Sequence, residues 1–341
     1  MTVRYPPPLQ PGDLVGVPAP SSGVRPHEQE RFAFCLQDLR DRGFRVRVGA
    51  HVGEGDGVVS APAADRAAEV MAMLLDPEVR AVVPPWGGEL AIEVLPLLDL
   101  DALVAAATWF VGYSDTTTLL LPYTLLTGTA TLHAPGLMET PYAAPAPLLH
   151  WLDVATAVTG SVLRQAASAQ FQGAWPDLRE APHGRAWALS EPTSWRRLGT
   201  DAPFAASGRL LGGCLETVVH LTGSRYGDVP RFVREHAPEG LVVHLEVAES
   251  SALDACRMLH GLRLAGWFDA ATCVLLGRTS APASGGFTQD DAVRSALGSL
   301  PVPVLLDVDL GHVPPQLSLV DGALATVTWE PGGGTVVQEL V

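Results

Sequence analysis

Gly112-Tyr113-Ser114-Asp115-Thr116 lies between an apolar run, Thr108 to Gly112, and a helical pattern, Thr116 to Thr127. A sharp strand-to-helix turn lifts a serine hydroxyl out of a sheet, which is what a serine nucleophile needs. The same position also suits a serine that caps the following helix, and Thr116 stands where the usual G-x-S-x-G ends in glycine. A nucleophilic serine requires a base, and the base an acid that orients it. His312, in Leu310-Gly311-His312-Val313-Pro314-Pro315, follows the apolar run Val302 to Asp307. Glu246 ends the run Leu241-Val242-Val243-His244-Leu245, with Glu216 and Glu249 as rival acids. Taken singly, His312 reads equally as a structural loop histidine and each glutamate as a solvated one. Gly87-Gly88 follows Ala81-Val82-Val83 and precedes a helical pattern. Backbone N–H groups there either receive an oxyanion or simply make the turn.

The composition excludes much other chemistry. The chain has no lysine and no asparagine, so all 22 basic residues are arginine. That removes a pyridoxal Schiff base, a Walker A lysine, a Ser–Lys dyad and a Cys–His–Asn triad. There is no G-x-G-x-x-G after a strand, no HExxH and no close His/Cys pair, so neither a dinucleotide cofactor nor a metal is expected. The net charge is −15 without any basic run, which argues against nucleic acid or an anionic membrane as partner. No run of about 18 apolar residues is present, and the prolines of MTVRYPPPLQPGD fall where a signal peptide needs an apolar stretch. The four cysteines are widely spaced and without CxxC, as in a reducing compartment. The expected protein is soluble and cytoplasmic, with Ser, His and carboxylates left to carry any chemistry.

At 341 residues the chain has room for two domains of about 100–200 residues. Short apolar runs at 14–18, 44–48, 80–84 and 108–112 alternate with helical patterns at 27–42, 64–75, 90–98 and 116–127. This alternation predicts a parallel sheet covered on both faces, with ligands at the carboxyl ends of its strands. Residues 150–166 continue as helix. Residues 171–207 form a polar stretch without periodicity that carries Trp175, Trp187 and Trp195. Beyond Gly208 come a helix at 213–221, strands at 240–246, 272–277, 302–307 and 323–329, and a helix between the first two. The expected organisation is a nucleophile-bearing α/β domain over 1–150, a connecting helix and Trp-bearing loop over 151–207, and a smaller, β-rich α/β domain over 208–341.

In order along the chain, several segments resemble the LD-carboxypeptidases and microcin C self-immunity peptidases, serine peptidase family sixty-six. They are Gly12 to Ser21, Arg66 to Val82, Gly112-Tyr113-Ser114-Asp115, Leu132-His133-Ala134-Pro135-Gly136, Gly208 to Leu215, His244-Leu245-Glu246 and Gly311-His312. The resemblance covers nearly the whole chain. It implies a flavodoxin-like first domain, a β-rich second domain and a homodimer. It also implies a Ser114–Glu246–His312 triad split between the domains, with an oxyanion hole from the N–H groups of Asp115 and of Gly87 or Gly88. An α/β-hydrolase would share the chain order Ser, acid, His, and a non-catalytic binding module would keep the cleft without turnover. The family's muropeptide branch usually has Arg-Gly-Gly-Tyr-Gly-Ser where this chain has Pro85-Trp86-Gly87-Gly88-Glu89-Leu90. The tryptophans of 171–207 resemble those of the microcin-immunity branch, which stack on a nucleobase. The expectation is therefore an aminoacyl-nucleotide or peptidyl substrate, with Trp195 and Trp187 ahead of Trp175 as ligand contacts. A muropeptide LD-carboxypeptidase is the alternative.

Overall fold

The computed structural model describes residues 3–53, 57–173 and 180–341. The first half runs β1 (Leu14–Val17), α1 (Gln29–Asp41), β2 (Arg45–Val48), α2 (Ala63–Leu75), β3 (Val79–Val82), β4 (Trp109–Gly112), α3 (Thr117–Thr127) and β5 (Thr131–His133). There follow α4 (Trp151–Ala155), β6 (Val162–Ala166), β7 (Gln170–Phe171), β8 (Glu191–Pro192), β9 (Arg196–Arg197), β10 (Phe204–Cys214), α5 (Leu215–Val218), α6 (Val229–His236) and β11 (Leu241–Glu246). The chain closes with α7 (Ala252–Leu264), β12 (Ala271–Gly277), α8 (Gln289–Leu297), β13 (Val304–Val308), β14 (Leu319–Asp321), β15 (Leu324–Glu330) and β16 (Gly333–Glu339).

Among the described residues these strands make a six-stranded sheet, β14-β5-β4-β3-β1-β2, and an eight-stranded sheet, β6-β16-β15-β10-β11-β12-β13-β9. β7 and β8 form a separate ribbon. The β1 to β5 pairings are parallel, as are those of β10 through β13, while β14, β15, β16, β6 and β9 pair antiparallel. The expected α/β architecture, a parallel-sheet half and a β-rich half, is the observed one.

Local sequence explains most elements. In α2, Ala67, Val70, Met73 and Leu74 recur at helical spacing and are buried. All six residues of β11 are buried, which is why it reads as an unbroken apolar run rather than an alternating one. In β15 and β16 buried positions alternate with partly exposed ones, the mark of a sheet covered on one face. α3 is buried at every residue but Leu126, so it has no polar face to show periodicity.

Three expected helices are corrected. Residues 90–98 form two 3-10 turns, Ala91–Glu93 and Leu95–Leu97, because Pro96 lacks an N–H donor and restricts Leu95 before it. Residues 150–166 are helical only over α4. Gly160, at φ +90, turns the chain into β6, which completes the eight-stranded sheet beside β16. The helix expected from Gly213 begins at Leu215, since β10 extends to Cys214.

Candidate active site

Ser114 follows the carboxyl end of β4 with φ 57, a left-handed conformation that a non-glycine residue adopts only when its surroundings enforce it. Asp115 supplies part of that enforcement. Its buried carboxylate accepts hydrogen bonds from Ser21 Oγ at 2.5 Å and from the Ala91 N–H at 2.8 Å, and Leu90 N–H donates in turn to Ser21 Oγ at 3.2 Å. One carboxylate thus ties the nucleophile turn to the loop after β3. On that loop a Cβ at Gly87 would lie 2.8 Å from Asp115 N and 3.0 Å from Ser114 Oγ. Only glycine allows the two backbones to approach so closely, and the approach sets Gly87 against Ser114 and the Asp115 N–H.

His312 and Glu246 come from the other sheet. Glu246 is the last residue of β11, only 1% exposed. His312 lies on the loop after β13, and its Nδ1–H donates to Glu246 Oε2 at 2.8 Å. Gly311 makes room for this pair: at φ +88 its missing Cβ would lie 2.5 Å from Glu246 Oε2 and 2.6 Å from Glu246 Cβ. Burial opposes a charge on His312, but the Glu246 carboxylate and its hydrogen bond, with Glu139 and Glu216 behind, prevail and push its pKa up to about 9.

Ser114, Asp115, Gly88 and Glu89 line a cavity of about 390 Å³ together with His312, Cys214, Glu216 and Glu249. Ser114 and His312 both line it, and among the described residues no hydrogen bond joins them. Such bonds commonly tighten only when substrate is bound. The rival acids are accounted for. Glu216 Oε1 accepts the N–H groups of Ala248, Glu249 and Ser250 at 3.0–3.1 Å. Burial works to raise its pKa, but these bonds prevail and hold it below the usual value. Glu249 stands exposed on the rim.

Neither Trp195 nor Trp187 lines the cavity beside Ser114. Trp195 is 2% exposed and packs in the core of the eight-stranded sheet. Its Nε1–H donates to Asp309 Oδ2 at 2.8 Å and its carbonyl accepts from Trp329 Nε1 at 2.9 Å. The expectation that it faces a ligand beside Ser114 is corrected. β9 joins the sheet edge immediately after it and draws the indole inward, which the irregular sequence of 171–207 conceals. Trp187 stacks on Tyr142, with ring centroids 4.0 Å apart, and lines a small separate cavity with Glu139 and Gln316. Trp175 lies outside the described residues.

Sequence reasoning missed the groups behind His312. The Tyr113 ring lies 5.0 Å from the imidazole, and its hydroxyl donates to Glu139 Oε1 at 2.7 Å. Burial pushes Glu139 up to about 7 despite that bond and the nearby charges of His312 and Arg31. His244 Nε2 pairs with Asp321 Oδ1 at 2.7 Å, wholly buried, joining β11 to β14. The adjacency of Tyr113 to Ser114 was the one signal available; nothing in the sequence links Glu139 or Asp321 to the site. Among the described residues no group of three or more His, Cys, Asp or Glu side chains could hold a metal, and no helix is long and apolar enough to cross a membrane.

A Glu246–His312 pair and a serine on a left-handed strand-to-helix turn line one cavity, near the carboxyl ends of parallel strands drawn from both sheets, an arrangement of the kind serine hydrolases use. Family comparison is specific. Residues 15–134 match the LD-carboxypeptidase N-terminal domain and residues 207–327 the LD-carboxypeptidase C-terminal domain, so the chain belongs to the LD-carboxypeptidase family and is a serine carboxypeptidase-type hydrolase. A putative carboxypeptidase of Streptomyces coelicolor is 30% identical over 333 residues, 95% of this chain and 93% of the relative. The microcin C7 self-immunity protein MccF of Escherichia coli is 24% identical over 330 residues, 95% and 92% of the two chains. A solved MccF structure in complex with glutamyl sulfamoyl guanosine superposes with a TM-score of 0.81 at 22% identity, covering 98% of each chain. The muramoyltetrapeptide carboxypeptidase of Oxalobacter formigenes has a TM-score of 0.69 at 17% identity, covering 96% of this chain and 98% of that one.

Proposed function

We propose that the chain hydrolyses an amide bond of an aminoacyl-nucleotide or peptidyl substrate through Ser114, His312 and Glu246, an MccF-like detoxifying amidase. The observation that carries the mechanism is the 2.8 Å His312–Glu246 bond, with His312 and Ser114 lining one cavity. Ser114 Oγ attacks the carbonyl and gives its proton to His312 Nε2. His312 then protonates the leaving amine, and water hydrolyses the acyl-serine. Glu246 holds Nδ1 protonated and stabilises the imidazolium. The N–H groups of Asp115 and of Gly87 or Gly88 receive the oxyanion.

His312 acts as a base only when neutral. With its pKa pushed up to about 9, kcat/KM is expected to rise with pH through the neutral range and level off in the alkaline range, above the ordinary histidine value of about 6.5. A pH–rate profile checks this. A profile that is flat between pH 6 and 9 would remove His312 as the base.

For the substrate, the whole-length relation to MccF supports the nucleotide reading. Burial of Trp195 favours the second reading, a muropeptide LD-carboxypeptidase, because it takes away one stacking surface. Comparing kcat/KM for glutaminyl-sulfamoyl adenosine and for a muropeptide tetrapeptide decides between them, the first being expected to be hydrolysed at least about tenfold more efficiently, a difference of ~1.4 kcal/mol. The same reading takes the enzyme as a cytoplasmic homodimer. Its four cysteines, all present as free thiols, support the compartment, and sedimentation tests the dimer.

A further inference from the structure

The cavity beside Ser114 carries carboxylates that no arginine or lysine balances, its basic side chains being His220 and His312. Glu89, beside Gly88, and Glu249, on the turn after β11, both line it. Both are exposed, and neither forms an ion pair among the described residues. Glu216, at the cavity wall between the two halves, is answered by backbone N–H groups and the Cys214 thiol. No arginine lines the cavity, and the chain has no lysine to offer. The carboxylates sense one another: burial first, then the charges of Glu249, Asp115 and Glu216, raise the pKa of Glu89.

A cleft lined by one sign of charge between low-dielectric walls focuses its field on whatever enters. A substrate carboxylate placed beside Glu89 and Glu249 would meet like charges and find no arginine or lysine to pair with; His312 is already engaged by Glu246. An ammonium or guanidinium would find two carboxylates with no other partner. Resting on the serine-hydrolase reading above, we propose that Glu89 and Glu249 select aminoacyl groups whose side chain carries a positive charge and disfavour those whose side chain carries a free carboxylate. The site itself stands on Ser114 and the His312–Glu246 pair; the two rim glutamates set which acyl group it accepts.

The test reads protection of Ser114 from a fluorophosphonate label by lysyl-, glutaminyl- and glutamyl-sulfamoyl adenosine, with Ser114→Ala as the unlabelled control. Lysyl-sulfamoyl adenosine is expected to protect at a concentration at least about tenfold below the glutamyl compound, with the glutaminyl compound between them. The Glu89→Gln/Glu249→Gln double variant, altered only at exposed positions, is expected to bring the three within about threefold of one another, as removal of two rim charges requires. If Ser114 takes no label, the serine-hydrolase reading falls and this inference with it. If Ser114 is labelled but the glutamyl compound protects as well or better, or none protects, the charge selection is overturned while the nucleophile stands. A lysyl preference that survives in the double variant overturns the assignment to Glu89 and Glu249.

Discussion

Ser114→Ala and His312→Ala are each expected to lower kcat by about 10³- to 10⁶-fold, and the double variant to be little worse than either alone, because members of a nucleophile–base pair act as a unit. Neither change should unfold the protein. Ser114 lines an open cavity and its side chain contributes little packing, while the His312 side chain keeps 26% exposure. Ser114→Ala also retains a β-carbon at a position whose φ of 57 the fold already enforces through the Asp115 clamp. Thermal melting alongside steady-state kinetics separates the two effects. If either single variant keeps more than about a tenth of the wild-type kcat with an unchanged melting point, a loss of under ~1.4 kcal/mol in transition-state stabilisation, then that residue is not part of the reacting machinery.

Glu246→Gln is expected to cost about 10²- to 10⁴-fold in kcat, since an amide no longer fixes the imidazole tautomer or balances the imidazolium. The effect should come with a displaced pH profile. The Glu246 charge and its hydrogen bond are the largest influences pushing His312 upward. The substitution should therefore bring the rise in kcat/KM back toward the ordinary histidine range, about 6.5. Glu216→Gln provides the comparison, because Glu216 holds the 248–250 turn rather than the imidazole. It should give a smaller loss and keep a rise near the wild-type position. A Glu216→Gln variant that loses more activity than Glu246→Gln, or moves the profile further, would transfer the orienting role from Glu246.

The sequence by itself determined the local parts of this site. An apolar run, a glycine and a serine before a helix are enough to specify the β4–Ser114–α3 turn, because each step rests on residues within a few positions of one another. The run Leu241 to Leu245 similarly specified a buried strand that delivers Glu246 at its carboxyl end. The alternation of such runs with helices was sufficient for the fold class. Tertiary structure alone decided which acid meets which base. Glu246, Glu216 and Glu249 are equivalent as letters, and only the placement of β11 and the β13 loop, with Gly311 leaving space, puts Glu246 2.8 Å from His312. It alone decided the fate of Trp195, whose polar neighbours say nothing of the β9 edge pairing that buries it. It also decided the roles of Asp115 and Glu139, whose partners Ser21 and Tyr113 lie 94 and 26 positions away. Periodicity and turn chemistry act over one or two turns of chain. A carboxylate's charge and hydrogen bonds act across space, and the sequence order of the partners leaves no trace of that distance.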